Sequence, residues 1–139
     1  MTTLILVALA WLPFQAPADF VGTWVADLKG TTYARLELRA GNDGLAGGLA
    51  IGNIQFDNTG VISNAQPVPA TLTPLANVVV IHGVMTFTRD EGNDRERFEV
   101  RMTADGQAQL TFLPSDDDLE ELKELGIPAP KPIPLRKVR

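Results

Sequence analysis

The residues able to do chemistry in this chain are few and scattered. A single histidine, His82, stands within an apolar run, and the chain has no cysteine. As a metal ligand His82 has no acid at ligand spacing beside it. As a general base it would need a nucleophile and an orienting acid, and no such set is visible. It is therefore expected to be structural, sharing a strand face with Val80 and Val84, opposite Ile81, Met85 and Phe87. Asp116, Asp117 and Asp118 supply three carboxylates. Consecutive acids at a helix start point apart, however, and a calcium loop needs alternating acids, a glycine and a distant glutamate. Arg95, Arg97 and Arg101 with Arg35 and Arg39 could form an anion-reading stripe, but Glu37 and Glu99 interleave on the same outward faces. Cross-strand salt pairing is the simpler account. Phosphate loops, dinucleotide fingerprints, serine elbows and histidine–acid metal motifs are all missing. The expectation is a protein that is not an enzyme and uses no cofactor or metal.

The elements that would hold these residues follow from composition and pattern. The chain has 139 residues, 45% of them hydrophobic, which suits one domain with its own core. A net charge of −5 argues against a nucleic-acid binder, which would carry a basic stripe. Residues 1–18 contain no Asp, Glu, Lys or Arg, and residues 4–12 form a short apolar run ahead of Ala16-Pro17-Ala18. That reads as an export signal cleaved before Asp19, although no Lys or Arg precedes the run. The alternative is a buried apolar segment of the domain. The run is too short for a spanning helix, so a secreted or periplasmic protein, not embedded in a membrane, is expected.

Residues 19–114 read as all-β. Trp24, Ala26 and Leu28 alternate with Val25 and Asp27, and Lys29-Gly30 supplies a turn. Ala34, Leu36 and Leu38 face inward while Arg35, Glu37 and Arg39 face water. Gly41-Asn42-Asp43-Gly44 is a hairpin loop. Leu45, Leu49 and Ile51 follow among Gly47, Gly48 and Gly52, a glycine density that fits either a sharply coiled strand or space left for a ligand. Ile54 and Phe56 come before the Asp57-Asn58-Thr59-Gly60 turn. Pro67, Pro69 and Pro74 mark an irregular stretch. Residues 78–88 read as one long strand, apolar on both faces at its start, so a helix or a homodimer contact through Val78, Val80 and Val84 would cover it. Phe98, Val100 and Met102 face inward on the next strand, and Ala108, Leu110 and Phe112 form the last. The spacing predicts an antiparallel meander of about eight strands forming a closed or nearly closed barrel, with one short C-terminal α-helix.

That helix is expected over residues 115–126. Ser115 is its N-cap with Asp118 completing a box, Leu119, Leu122 and Leu125 form one face, and Gly126 stops it ahead of Pro128. So short a helix needs its leucine face docked on the barrel to persist. Residues 127–139 are proline-rich and basic, and read as an extended tail that lies back along the acidic helix or reaches a partner.

Gly22-Thr23-Trp24, the Gly41–Gly44 turn and the glycine-broken third strand together resemble the first three strands of calycin-type barrels, the lipocalin and avidin group. That resemblance covers about the first quarter of the domain. It implies that Trp24 plugs the closed end of a barrel, with Phe20 packing near the mouth. Ala26 and Gly30 stand where avidin-like proteins place polar ligand contacts, and no tryptophan follows Trp24, so biotin binding is not implied. The expected function is a lipocalin-like barrel binding a small apolar ligand among Leu36, Leu38, Leu49, Ile51, Phe87, Phe98 and Phe112. A solid core would use the same residues. The alternative is a structural or protein-interaction module with a filled barrel.

Overall fold

The computed structural model describes residues 17–138 apart from Asp43 and Asn93. Most of the expected export signal therefore lies outside the described residues. A 3-10 turn (Pro17–Phe20) leads into strands β1 (Gly22–Leu28), β2 (Thr31–Gly41), β3 (Gly44–Ile51), β4 (Ile54–Phe56), β5 (Ile62–Ala65), β6 (Thr73–Pro74), β7 (Ala76–Ile81), β8 (Val84–Glu91), β9 (Asp94–Ala104) and β10 (Gln107–Phe112). Helix α1 (Asp116–Leu125) and strand β11 (Ile133–Lys137) follow. Nine strands make one sheet in the order β6-β3-β2-β1-β11-β10-β9-β8-β7, and every neighbouring pair is antiparallel. The edges come round until β3 and β6 touch β7 and β8, leaving one seam that is not laddered. The protein is an all-β, nearly closed barrel with one short helix.

Period-two alternation builds this wall. Ala34, Leu36 and Leu38 of β2, Met85 and Phe87 of β8, Phe98 and Val100 of β9, and Ala108 and Leu110 of β10 all point inward and are buried. Both barrel ends are stopped. At the end where β1 begins, Phe20 and Trp24 are buried and the Trp24 indole N–H donates to the Phe20 carbonyl at 2.9 Å. At the other end the separate β4–β5 hairpin lays Ile54, Ile62 and Ala65 against the core. The glycines of the third strand answer to close approach. A Cβ at Gly47 would lie 1.8 Å from the Glu37 carbonyl oxygen, and one at Gly52 would lie 2.2 Å from that of Gln66. These positions are filled by neighbouring backbone.

Three expectations are corrected. Residues 78–88 are two strands, turned at His82-Gly83, where φ is 52° and 75° and Ile81 pairs with Val84. Two consecutive left-handed residues make the tight hairpin whose twist suits antiparallel strands, and histidine is among the few side chains often found there. His82 is thus an exposed turn residue, outside any strand face. The proline-rich tail is also misread from sequence. Ile133–Lys137 forms β11 between β1 and β10, burying Ile133 and Leu135. Its odd residues bond to β10, as Lys137 does to Gly106, and its even residues face β1, where the Val138 N–H reaches the Thr23 carbonyl. Pro134, lacking an N–H, therefore aims its gap at β1 just beyond Arg136, the last residue paired there. Finally, α1 is not docked: none of its residues is buried.

Candidate functional site

The seven residues expected to line a ligand cavity separate into two groups. Leu36, Leu38, Leu49, Phe87 and Phe98 are buried in one cluster. Ile51 and Phe112 are half-buried at the end covered by the β4–β5 hairpin. Register puts Phe87 opposite Phe98 and Phe98 opposite Phe112, so the three rings form a row with centroid spacings of 5.3 and 5.0 Å. Phe56 of the hairpin then meets Phe112 edge-on at 6.2 Å. The row closes that end with the protein's own side chains.

One inward-facing charge went unread in the sequence. Arg89 continues the inward alternation of Met85 and Phe87 and is buried. Its guanidinium sits 5.5 Å from the Phe98 ring centroid and donates to Glu96 Oε1 at 2.6 and 3.0 Å. Arg89 and Glu96 are directly paired in the β8–β9 register. The signal was present as i, i+2 spacing from Phe87, but an arginine is rarely assigned to a core face without its partner in view. Arg35–Glu37 and Arg101–Glu99 form ion pairs along their own strands, at 3.1 and 3.0 Å, while Arg95–Asp90 pairs across strands at 3.0 Å. The outward arginines are thus largely answered by neighbouring carboxylates.

Beside the hairpin lies a small cleft of about 160 Å3, walled by Leu28, Tyr33, Ile62, Pro132 and Ile133 with Lys131 at its side. The hairpin tip is held there by the Lys131 N–H, which donates to the Gly60 carbonyl at 2.9 Å. The tip itself is fixed by Asp57, whose Oδ1 accepts from the Thr59 and Val61 N–H groups and the Thr59 hydroxyl. Those three bonds, the Thr59 hydroxyl first, hold the Asp57 carboxyl below its ordinary range. Burial pushes the Tyr33 hydroxyl at the cleft upward, with the Asp27 charge adding to it.

Helix α1 and the residues after it leave several apolar side chains uncovered. Its termini are complete. Ser115 Oγ accepts from the Asp118 N–H at 3.1 Å, Asp118 reaches back to the Ser115 N–H, and Gly126 ends the helix at φ 68°. The Ile127 N–H then returns to the Leu122 carbonyl at 2.9 Å. Leu119, Leu125 and Ile127 are nevertheless 41%, 63% and 50% exposed, and Leu122 is only half-buried. Leu119, Leu122, Ile127, Pro128 and Ala129 wall a cleft of about 360 Å3 on this side. The homodimer face expected at Val78, Val80 and Val84 is altered by the hairpin: Val78 and Val80 pack against the core and Val84 is half-buried, while Val79 and Ile81 are the exposed pair. Among the described residues no group of three His, Cys, Asp or Glu side chains could hold a metal ion, and no helix is long and apolar enough to cross a membrane.

Comparison with known proteins finds no matching family model, no similar curated protein and no similar solved structure.

Proposed function

We propose that this protein is an exported, non-enzymatic interaction module whose filled barrel is a scaffold for presenting α1. The observation that carries this reading is a helix capped at both ends whose leucine face is uncovered. A ten-residue helix is marginal in water and normally persists by docking an apolar face. Here the capping box and the left-handed stop hold it locally, and Pro128, Pro130 and Pro132 make a stiff arm leading back to β11. The face is therefore displayed ready to dock, with less to order on binding. The interior is left to packing, and export is read from the uncharged apolar start of the chain with cleavage before Asp19. Such cleavage would spare Phe20 and the Trp24 plug; intact mass of the exported protein checks it, and a start beyond Phe20 would contradict it.

The reading is tested by placing a photo-crosslinking residue at Leu119 or Leu125 in cells making the full chain. Crosslinks to one discrete protein are expected there and not at Gln109, on the wall of the barrel. Adducts at Gln109 alone would exclude α1 as the docking face.

A second reading is favoured by the cleft beside Tyr33. Its volume suits a ligand of about the size of benzene, and it combines apolar walls with Tyr33, Asp27 and Lys131 as polar groups. A small apolar ligand would then sit at the barrel end and not in the interior. Titration with phenol, followed by NMR shifts at Tyr33 and Ile62, tests this; shifts unchanged by Ile62→Trp would exclude it.

A further inference from the structure

We infer that the partner of α1 is a protein surface carrying apolar side chains flanked by basic ones. This rests on the reading of α1 as a docking face, and it is argued from where the charges lie around that face. Along an α-helix successive residues advance by about 100°. Leu119, Leu122 and Leu125 thus form one stripe about 120° wide. Glu120, Glu121 and Glu124, with Asp116 and Asp117, fall on the remaining surface of the same helix; Glu121 borders the stripe on one side and Lys123, with Asp116 behind it, on the other, so the surface around the stripe is predominantly acidic. The segment 116–124 holds six acids and one lysine. Asp118 is committed to the N-cap. The other acids in this run have no ion pair with a basic group among those found in the described residues, and their field is therefore available to an incoming surface.

This charge pattern separates the occupants. A second copy docking the same face would bring two acid-rich helices together, with like charges flanking the contact. An anionic membrane would be repelled by the same groups. A basic-flanked apolar surface gains on both counts, because the leucines bury area while opposite charges steer the encounter. The cleft between the stripe and Ile127, Pro128 and Ala129 gives an inserted side chain a wall on two sides.

The test uses the full exported chain and three synthetic amphipathic helices that share one leucine face. Their polar face is lysine, glutamine or glutamate. The lysine peptide is expected to bind, with NMR shifts confined to residues 119–129. Its affinity should fall about tenfold in the double variant Leu119→Ser with Leu125→Ser, and by a similar factor in Glu120→Gln with Glu121→Gln and Glu124→Gln. It should weaken with added salt. None of these side chains is buried, so the variants should keep their near-UV spectrum. Equal binding of the glutamine peptide, or tighter binding of the glutamate peptide, would overturn the basic partner while leaving α1 a docking face. A dimer that dissolves in the leucine double variant, or preferential binding to anionic vesicles, would do the same by naming another occupant. Failure of all three peptides, or lysine-peptide binding that ignores the leucine variants, would remove the docking reading itself.

Discussion

At the scale of single residues, Trp24 and Asp27 show how neighbouring positions of one strand serve different ends. Trp24 is buried at a barrel end with its one polar atom satisfied by the Phe20 carbonyl. Removing the ring loses both its packing and that bond, so Trp24→Ala should cost about 3–5 kcal/mol in urea unfolding, whereas Val79→Ser on the exposed side of β7 should stay within about 0.5 kcal/mol. Asp27 accepts from the Thr32 hydroxyl and from Arg136 Nε at 2.7 Å, and these bonds, Thr32 first, lower its pKa from an ordinary value of 3.8. A lowered folded pKa means that the unfolded chain binds more protons in this window, so stability rises with pH there. The Asp27 contribution is fully present above pH 3.8 and is lost as pH falls through the folded value. Thermal melts between about pH 5 and about pH 2.5 should show a shallower acid loss in Asp27→Asn than in the wild type.

At the scale of elements, α1 and β11 exchange the roles that their sequences suggest. The helix has the better local signals, yet it contributes no buried residue; the proline-rich strand has the poorer signals, yet Ile133 and Leu135 are core. Ser115→Ala should accordingly destabilise the helix by about 1 kcal/mol. That loss is expected as faster amide exchange at residues 118–122 with little change in the midpoint of global unfolding. An equal fall in the global midpoint would mean that the helix is docked. Leu135→Asp, by contrast, places a charge inside the barrel and should abolish cooperative unfolding, as read by near-UV signal against denaturant. Pro134 is tolerated because its missing donor faces the side of the strand where pairing to β1 has ended.

At the scale of the whole molecule, β11 decides how the barrel is joined. It links β1 to β10 and so brings the start and the end of the described chain into one continuous wall, leaving the seam between β3–β6 and β7 in the middle of the sequence. Truncation after Pro132 should therefore unseal a second side of the barrel. Burying Ile133 and Leu135 is worth about 1.5–3 kcal/mol each, a large part of the stability of a domain this size. The expected result is a chain without a cooperative thermal transition. A truncated protein that melts like the full chain would show that β11 is dispensable.

Much of this architecture is legible from the residues alone. Alternation along β2, β9 and β10 identifies inward positions, Gly and Asn mark most hairpins, and Ser115 to Gly126 delimits the helix, because each signal acts between residues close in sequence. What depends on contact between distant segments is not legible. A histidine in a left-handed turn splits an apolar run that has no other break. Arg89 belongs inside only because Glu96 faces it and Phe98 lies beneath it. The third-strand glycines fit a sharply coiled strand or a cavity in sequence, and Gly47 and Gly52 are fixed by Glu37 and Gln66 backbone pressing on them. The sequence by itself determined an antiparallel barrel opened by a buried Trp24 and followed by a capped helix. Only the tertiary structure decided that the tail completes the wall, that Phe87, Phe98 and Phe112 line up in one row, and that the leucine face of the helix is left to water. Period and capping are local, whereas pairing partners and covered faces are properties of the assembled surface.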